Sequence, residues 1–314
     1  MAEPPTPRAI LARLQLRWLG SLGKARAFVA GARPRTLPAS VVPVVVGTAV
    51  GVALGGARAW RAGAALVVSL AIQVGTNYAN DYADGVRGTD RDRVGPTRLV
   101  AGGLASPRAV RRAALASFGV AGVAGLALAS AVSWWLVPVG AACLAAGWFY
   151  TGGPRPYGYA GLGEVFAFVF FGLVAVVGTT FVVCGRLSGE AALAAVPVGL
   201  LVVALLVVNN LRDLDGDAAA GKRTLAVRMG EARTRRLYAA TMLVPAAVVL
   251  PVARRRPGAL VSLAATPLLV GPARTVLRGA TGRALVPVLG ETGRAQLVFG
   301  GLLALGILWG GRGR

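Results

Sequence analysis

The chain has no histidine, two cysteines and only 12 acidic residues among 314. Each scarcity excludes a chemistry. Without histidine there is no Ser-His-Asp triad and no imidazole ligand for a metal. Cys143 and Cys184 stand alone within apolar segments, so they cannot build a zinc site of the usual kind and read as small core residues. Charged residues make up 15% of the chain, where soluble domains of this length carry about 25%.

What is abundant is apolar. The sequence is 55% hydrophobic and holds 44 glycines. Apolar runs long enough to cross a bilayer as helices recur over 38–55, 63–80, 113–131, 134–150, 162–183, 190–210, 237–252, 258–272 and 295–310. The seventh and eighth are short and carry Pro245, Pro251 and Pro267, so their ends are the least defined. The runs are continuous, without the alternation of barrel strands. A helix also satisfies its own backbone groups, as lipid requires. The expected fold class is therefore all-α: a polytopic membrane protein of about nine transmembrane helices, with one domain over 37–310 between a basic N-terminal tail, 1–36, and a short C-terminal tail, 311–314. The N-terminal tail carries Pro4, Pro5, Pro7 and scattered arginines, unlike a cleaved signal peptide. Ile10, Leu11, Leu14 and Trp18, beside Arg13 and Arg17, suit either a helix lying on an anionic membrane surface or a disordered basic tail.

The net charge of +22 raises nucleic acid as a partner, but its placement points elsewhere. With a cytoplasmic N-terminus and nine spans, about 26 of the 34 Lys and Arg fall on the cytoplasmic side. Arg254, Arg255 and Arg256 fall on the other side and weaken the pattern without reversing it. Anionic lipid and an anionic substrate are the expected partners.

The acids are concentrated. All seven aspartates lie in two clusters: Asp81, Asp84, Asp90 and Asp92 after the second run, and Asp213, Asp215 and Asp217 after the sixth. Both follow even-numbered runs and so open on the same side. Asn77, Asp81 and Asp84 share one helical face, as do Asn209, Asp213 and Asp217. Carboxylates stacked at a membrane boundary repel one another and are expensive there. Hydrophilic loops balanced by Arg87, Arg91 and Arg93 are one explanation; two half-sites holding a cation is the other. The ligands on offer are carboxylate and amide oxygens, so the ion is hard. Mg²⁺ is expected over Ca²⁺, because no EF-hand spacing is present and Mg²⁺ takes few protein carboxylates and completes its shell with water and substrate phosphate. Lys222 and Arg223 follow the second cluster, where cations would hold a diphosphate. The loop 150–164, YTGGPRPYGYAGLGE, opens on the same side. It supplies Arg155 as a phosphate contact, Tyr150 at the membrane-facing entrance, and Glu164 as a helix cap.

Four stretches carry a resemblance. RPRTLPASVVPVVVG (33–47), NYANDYADGVRGTD (77–90), YTGGPRPYGYAGLGEVF (150–166) and NNLRDLDGDAAAGKRTLAVR (209–228) resemble the UbiA superfamily of intramembrane prenyltransferases. Within it they are most similar to the 1,4-dihydroxy-2-naphthoate polyprenyltransferase (MenA) branch, and LVPVLGETGRAQLVFG (285–300) agrees. The superfamily's commonest first motif has a third aspartate where this chain has Gly88. Asp90 comes two residues later, as in the naphthoate branch, and is the weaker ligand candidate.

The resemblance implies helices surrounding a central apolar chamber and a decarboxylating C-prenylation. A polyprenyl diphosphate and 1,4-dihydroxy-2-naphthoate would give demethylmenaquinol, carbon dioxide and diphosphate in menaquinone synthesis. It implies Asp81, Asp84, Asp213 and Asp217 as Mg²⁺ ligands, with Asp90 as a further candidate. Lys222, Arg155, Arg223, Asn77 and Asn209 would lie around the diphosphate, and Arg35 and Tyr150 at the acceptor. The same motifs would serve another acceptor, such as 4-hydroxybenzoate. A divalent-cation transporter would instead spread ionisable residues through the bilayer depth.

Overall fold

The computed structural model describes residues 23, 25–89 and 98–309. The expectations for residues 1–22, for Asp90 and Asp92 and for 311–314 lie outside the described residues.

Among the described residues the architecture is all helical, with no strand. The apolar runs become α1 (Pro38–Ala53), α2 (Ala59–Arg87), α3 (Pro107–Ala131), α4 (Leu136–Phe149), α5 (Gly163–Cys184), α6 (Gly189–Arg212), α7 (Glu231–Ala253), α8 (Pro257–Leu277) and α9 (Gly282–Trp309). These helices follow the nine runs in order, but seven qualify as spans by length and hydropathy, or eight if α1 is joined to the segment before it across a 55° bend. The shortfall lies in α4 and, when it is taken alone, in the 16-residue α1. The 14 residues of α4 reach about 21 Å, short of a hydrocarbon core of about 30 Å. Elsewhere the helices outrun the apolar runs. α7 begins at Glu231 and α9 at Gly282 rather than at 237 and 295, because charged side chains near a helix end reach the interface while their stems stay in lipid.

Contacts at one end of the bundle fix the alternation of the helices. Arg61, at the start of α2, donates to the carbonyls of Ala131 at the end of α3 (3.0 Å) and Val182 near the end of α5 (3.2 Å). Arg256 pairs with Glu190 at the start of α6, 2.9 Å away. Trp134 and Trp135, 68% and 80% exposed, sit at this end as interface anchors. The opposite end therefore gathers the C-termini of α2 and α6, and with them both aspartate motifs.

α6 is the most buried helix, packed against α1, α5, α7 and α9. α1 meets α5 through Gly47 and Gly51, one turn apart. A Cβ on Gly47 would lie 2.5 Å from the carbonyl oxygen of Val176, and one on Gly51 would strike Val183. Thr180 closes the contact by donating to the Gly47 carbonyl at 2.9 Å. Small residues that let backbones touch are the usual adhesive between helices in lipid. Gly47→Leu is expected to destabilise the detergent-solubilised protein by about 1–3 kcal/mol, read as a lowered thermal unfolding midpoint.

Residues 25–31 form a helix against the end of α2. The Tyr78 hydroxyl donates to the Phe28 carbonyl at 2.8 Å, and the Asn77 amide donates to the Ala32 carbonyl at 2.9 Å. This segment supplies acceptors for polar side chains at the end of α2.

Candidate active site

The site is built where α2 and α6 end. α2 stops at Gly88, whose φ of 74° is a left-handed cap, and the Thr89 N–H returns to the Asp84 carbonyl at 3.1 Å. Asp81 accepts from the backbone N–H of Leu99 and of Val100, each at 2.9 Å, one on each carboxylate oxygen. It thereby holds the turn leading into α3. Asn80 accepts from the Thr151 hydroxyl at 2.7 Å, and Arg87 donates to the carbonyls of Thr151 and Gly153. The loop after α4 is thus fastened to α2 by polar side chains.

Asp84 is the hub. One oxygen accepts from the Tyr159 hydroxyl at 2.5 Å and the other from Lys222 Nζ at 3.0 Å. The same ammonium lies 3.8 Å from Asp217. Its nitrogen also sits 5.0 Å from the centroid of the Tyr159 ring. Asp213, capping α6, takes both arms of Arg212 at 2.8 and 2.7 Å, and Arg212 reaches on to Asn209 at 2.8 Å. Lys222 follows Gly221, whose φ of 73° only glycine adopts readily. The left-handed turn brings the lysine back under the short helix Leu214–Ala219.

Burial disfavours the Lys222 ammonium, but Asp84, Tyr159 and Asp217 outweigh it and raise its pKa above the ordinary lysine value. Burial, then Asp84, raises Tyr159 above the usual phenol range. Burial, then Glu164, holds Tyr150 well above that range. At neutral pH the site therefore presents a charged lysine and protonated phenols.

These groups ring the mouth of a cavity of about 640 Å³ that continues between the helices toward the far end, past Ala65, Leu128, Leu136 and Val182. At 1.5 Å per residue along α2, Asp81 and Ala65 lie about 24 Å apart. An aromatic file leads inward from the mouth. Tyr150 meets Tyr157 edge-on at 5.5 Å, Tyr157 stacks on Phe166 at 4.0 Å, and Phe170 follows at 5.8 Å.

The structure brings together most of the residues singled out from sequence. Asp81, Asp84, Asp213, Asp217, Asn77, Asn209, Lys222, Tyr150 and Arg35 all line the cavity. Arg155 and Arg223 do not line it, and both are exposed. The Arg223 backbone N–H donates to the Tyr159 carbonyl at 3.0 Å, which anchors an extended segment. Neighbours on extended backbone point opposite ways, so Lys222 turns in and Arg223 out. Arg155 stands on an exposed turn between Pro154 and Pro156. Glu164, expected as a helix cap, sits at a helix start with no side-chain cap hydrogen bond; 5% exposed, it accepts from Asn210 at 2.9 Å and ties α5 to α6.

Sequence reading missed Tyr159, Arg212, Arg33 and Arg98, all of which line the cavity. Arg33 has a signal visible only in three dimensions. It is a non-glycine residue at φ 54°, and one guanidinium nitrogen is buried with no hydrogen-bond partner. A left-handed arginine costs conformational energy, and such outliers collect at functional sites.

Among the described residues no three carboxylates converge as a ready metal cluster. The donor set nonetheless fits a hard cation. Asp81, Asp84, Asp213 and Asp217 reach the cavity, they offer carboxylate oxygens, and between Asp84 and Asp217 the protein places a cationic group of its own, the Lys222 ammonium.

Comparison with known proteins agrees with this geometry. The UbiA prenyltransferase family model matches residues 40–289. The chain is 49% identical to the 1,4-dihydroxy-2-naphthoate octaprenyltransferase of Mycobacterium tuberculosis over 90% of its own length and 98% of the relative's. It is 35% identical to the enzyme of the same name from Escherichia coli, over 91% and 96%. Among solved structures, it is similar to a UbiA homolog from Archaeoglobus fulgidus bound to GPP and Mg²⁺, with a TM-score of 0.62, 14% identity and coverage of 90% and 99%. An apo UbiA homolog from Aeropyrum pernix gives a TM-score of 0.63 at 16% identity, covering 85% and 97%.

Proposed function

The chain belongs to the UbiA prenyltransferase family, and from that premise we infer that it transfers a polyprenyl group from a polyprenyl diphosphate to 1,4-dihydroxy-2-naphthoate, with loss of carbon dioxide. The observation that carries this reading is the Lys222 bridge. It joins Asp84 of the first motif to Asp217 of the second at the mouth of a largely apolar chamber. Polar groups that recognise a diphosphate thus stand directly above space suited to an isoprenoid tail.

Asp84, Asp217 and Asp213, with Asp81 beside them, are the residues that would hold Mg²⁺. Bound there, the ion neutralises charge on the diphosphate as it departs. Lys222 and Arg212 supply fixed positive charge at the same place. Tyr159 holds Asp84 in orientation through its hydroxyl. The aromatic file from Tyr150 to Phe170 presents π faces to the allylic cation and excludes water from it. The unpartnered Arg33 nitrogen, with Arg35 beside it, is placed to meet the acceptor's carboxylate. Restoration of the ring's aromaticity accompanies departure of carbon dioxide from the substituted carbon. The diphosphate end opens on the arginine-rich side of the bundle, which is the cytoplasmic side by the positive-inside rule.

The test is a choice of acceptor. Membranes carrying the protein are given geranylgeranyl diphosphate with either 1,4-dihydroxy-2-naphthoate or 4-hydroxybenzoate, and products are identified by mass. The expected product is the prenylated naphthoquinol, formed without the carboxyl carbon. Prenylated hydroxybenzoate alone would move the chain to a different acceptor within the same family.

A further inference from the structure

α2 carries polar side chains deeper into the bundle than the diphosphate end needs. Ser69, Gln73, Asn77 and Asp81 follow one another at every fourth position, and all four line the cavity. Gln73 stands about 12 Å along the helix from Asp81. Its neighbours on that face are already engaged. The Ser69 hydroxyl donates to the Ser40 carbonyl at 2.9 Å, and Asp81 accepts two backbone N–H groups.

The Gln73 amide is only half engaged. Its nitrogen donates to Thr36 Oγ1 at 3.3 Å. Thr36 fixes that orientation. Its single proton goes to the Arg33 carbonyl at 2.9 Å, so its oxygen can only accept, here from Gln73 and, at 3.4 Å, from Asn77. The Gln73 carbonyl oxygen is therefore turned away from Thr36, and it accepts no hydrogen bond from any described residue. An isoprenoid tail offers that oxygen nothing and would strip its hydration. A ligand with a hydroxyl group satisfies it.

The same turn holds Arg33, whose carbonyl takes the Thr36 hydroxyl and whose Nη2 is buried without a partner. One short turn thus fixes a cation for a carboxylate and, through Gln73, an acceptor for a hydroxyl. The naphthoate has two hydroxyls. The 1-hydroxyl stands next to the carboxylate and donates to it within the molecule. The 4-hydroxyl, farther round the same ring, has no such internal acceptor.

We propose that the Gln73 carbonyl accepts from the 4-hydroxyl of the bound naphthoate, which makes Gln73 a specificity-determining residue for the acceptor. This rests on the acceptor reading above.

The experiment measures kcat/KM of the purified protein in lipid nanodiscs for 1,4-dihydroxy-2-naphthoate and for 1-hydroxy-2-naphthoate, which lacks the 4-hydroxyl. Geranylgeranyl diphosphate and Mg²⁺ are saturating. Gln73→Met keeps an unbranched stem and removes both hydrogen-bonding groups. It is expected to lower kcat/KM about tenfold for the dihydroxy acceptor and less than about twofold for the monohydroxy one. Comparing the variant's loss on the two acceptors cancels their difference in reactivity. The donor KM is expected to keep its wild-type value. Equal losses with both acceptors would mark a merely structural side chain and overturn the proposal, as would an unchanged preference. Should the monohydroxy compound not be turned over, its inhibition constant against the dihydroxy acceptor replaces kcat/KM. That constant stays unchanged in the variant if the proposal holds, and weakens as much as the dihydroxy acceptor's KM rises if it fails. Should Gln73→Met unfold, Thr36→Val decides. It frees the Gln73 amide to turn and is expected to lower the preference about threefold; an unaltered preference overturns the proposal. Wild-type protein that prenylates neither naphthoate refutes the functional reading instead.

Discussion

Asp84→Asn is expected to reduce prenyl transfer by about a thousandfold or more, with the protein still folded. Asparagine keeps the volume and one oxygen but removes the charge on which two groups converge. The Lys222 ammonium is 3.0 Å from Asp84, and the Tyr159 hydroxyl 2.5 Å. Removing one member of a buried ion pair leaves its partner's charge uncompensated, which costs about 3–5 kcal/mol. Here Asp217, 3.8 Å from the same ammonium, takes up part of that charge and limits the loss of stability. Function has no such reserve, because the Asp84–Lys222 pair, continued to Asp217, links the first motif to the second. Losing charge stabilisation that acts on a departing group lowers kcat by about 10²–10³ per group, and Asp84 positions Lys222 as well as carrying its own charge. The check is steady-state transfer with naphthoate acceptor at saturating donor, alongside thermal unfolding in the same detergent. Activity within tenfold of wild type would remove Asp84 from the centre of the site.

Asp81, by contrast, is set apart by its partners. Its two oxygens already accept the N–H groups of Leu99 and Val100. Sequence spacing put Asp81 and Asp84 on one helical face as equivalents, and nothing in the spacing says which carboxylate faces backbone. The periodicity of apolar runs and the placement of every aspartate made the helical class, the shared end of the two motifs and the polar mouth legible in advance. What stayed hidden came from tertiary closure. Tyr159 sits in a loop whose proline and glycine content predicts turns but not that this tyrosine, of the three in the loop, meets Asp84. Arg212 reads as an ordinary juxtamembrane charge until its fork is seen on Asp213. The outward turn of Arg223 beside the buried Lys222 depends on one backbone hydrogen bond to Tyr159, and residue type carries no trace of it. The short reach of α4 was countable from sequence, but its length there was blurred by Trp134, Trp135 and Tyr150, which extend the apolar run without extending the helix.

Lys222→Met is expected to separate metal binding from turnover. In the present arrangement the lysine compensates Asp84 and Asp217 and competes with any other cation for their oxygens. Methionine keeps the unbranched stem that threads beneath Leu214–Ala219 but carries no charge. Two carboxylates then face each other without an ammonium between them, and their demand for a divalent ion rises. Binding of Mg²⁺ to the protein without substrate, measured by calorimetry, is expected to tighten by about tenfold, the equivalent of roughly 1.4 kcal/mol. Thermal stability in EDTA is expected to fall, and saturating Mg²⁺ to restore most of it, since a ligand held only by the folded state stabilises it. Turnover moves the other way. Fixed positive charge beside the departing diphosphate is lost, and kcat is expected to drop by about 10²-fold even at saturating Mg²⁺. A merely structural lysine would lower stability and turnover together and leave Mg²⁺ affinity unchanged or weaker. Opposite signs in the two measurements arise only if one ammonium both stands in for the metal between the aspartates and serves the leaving group.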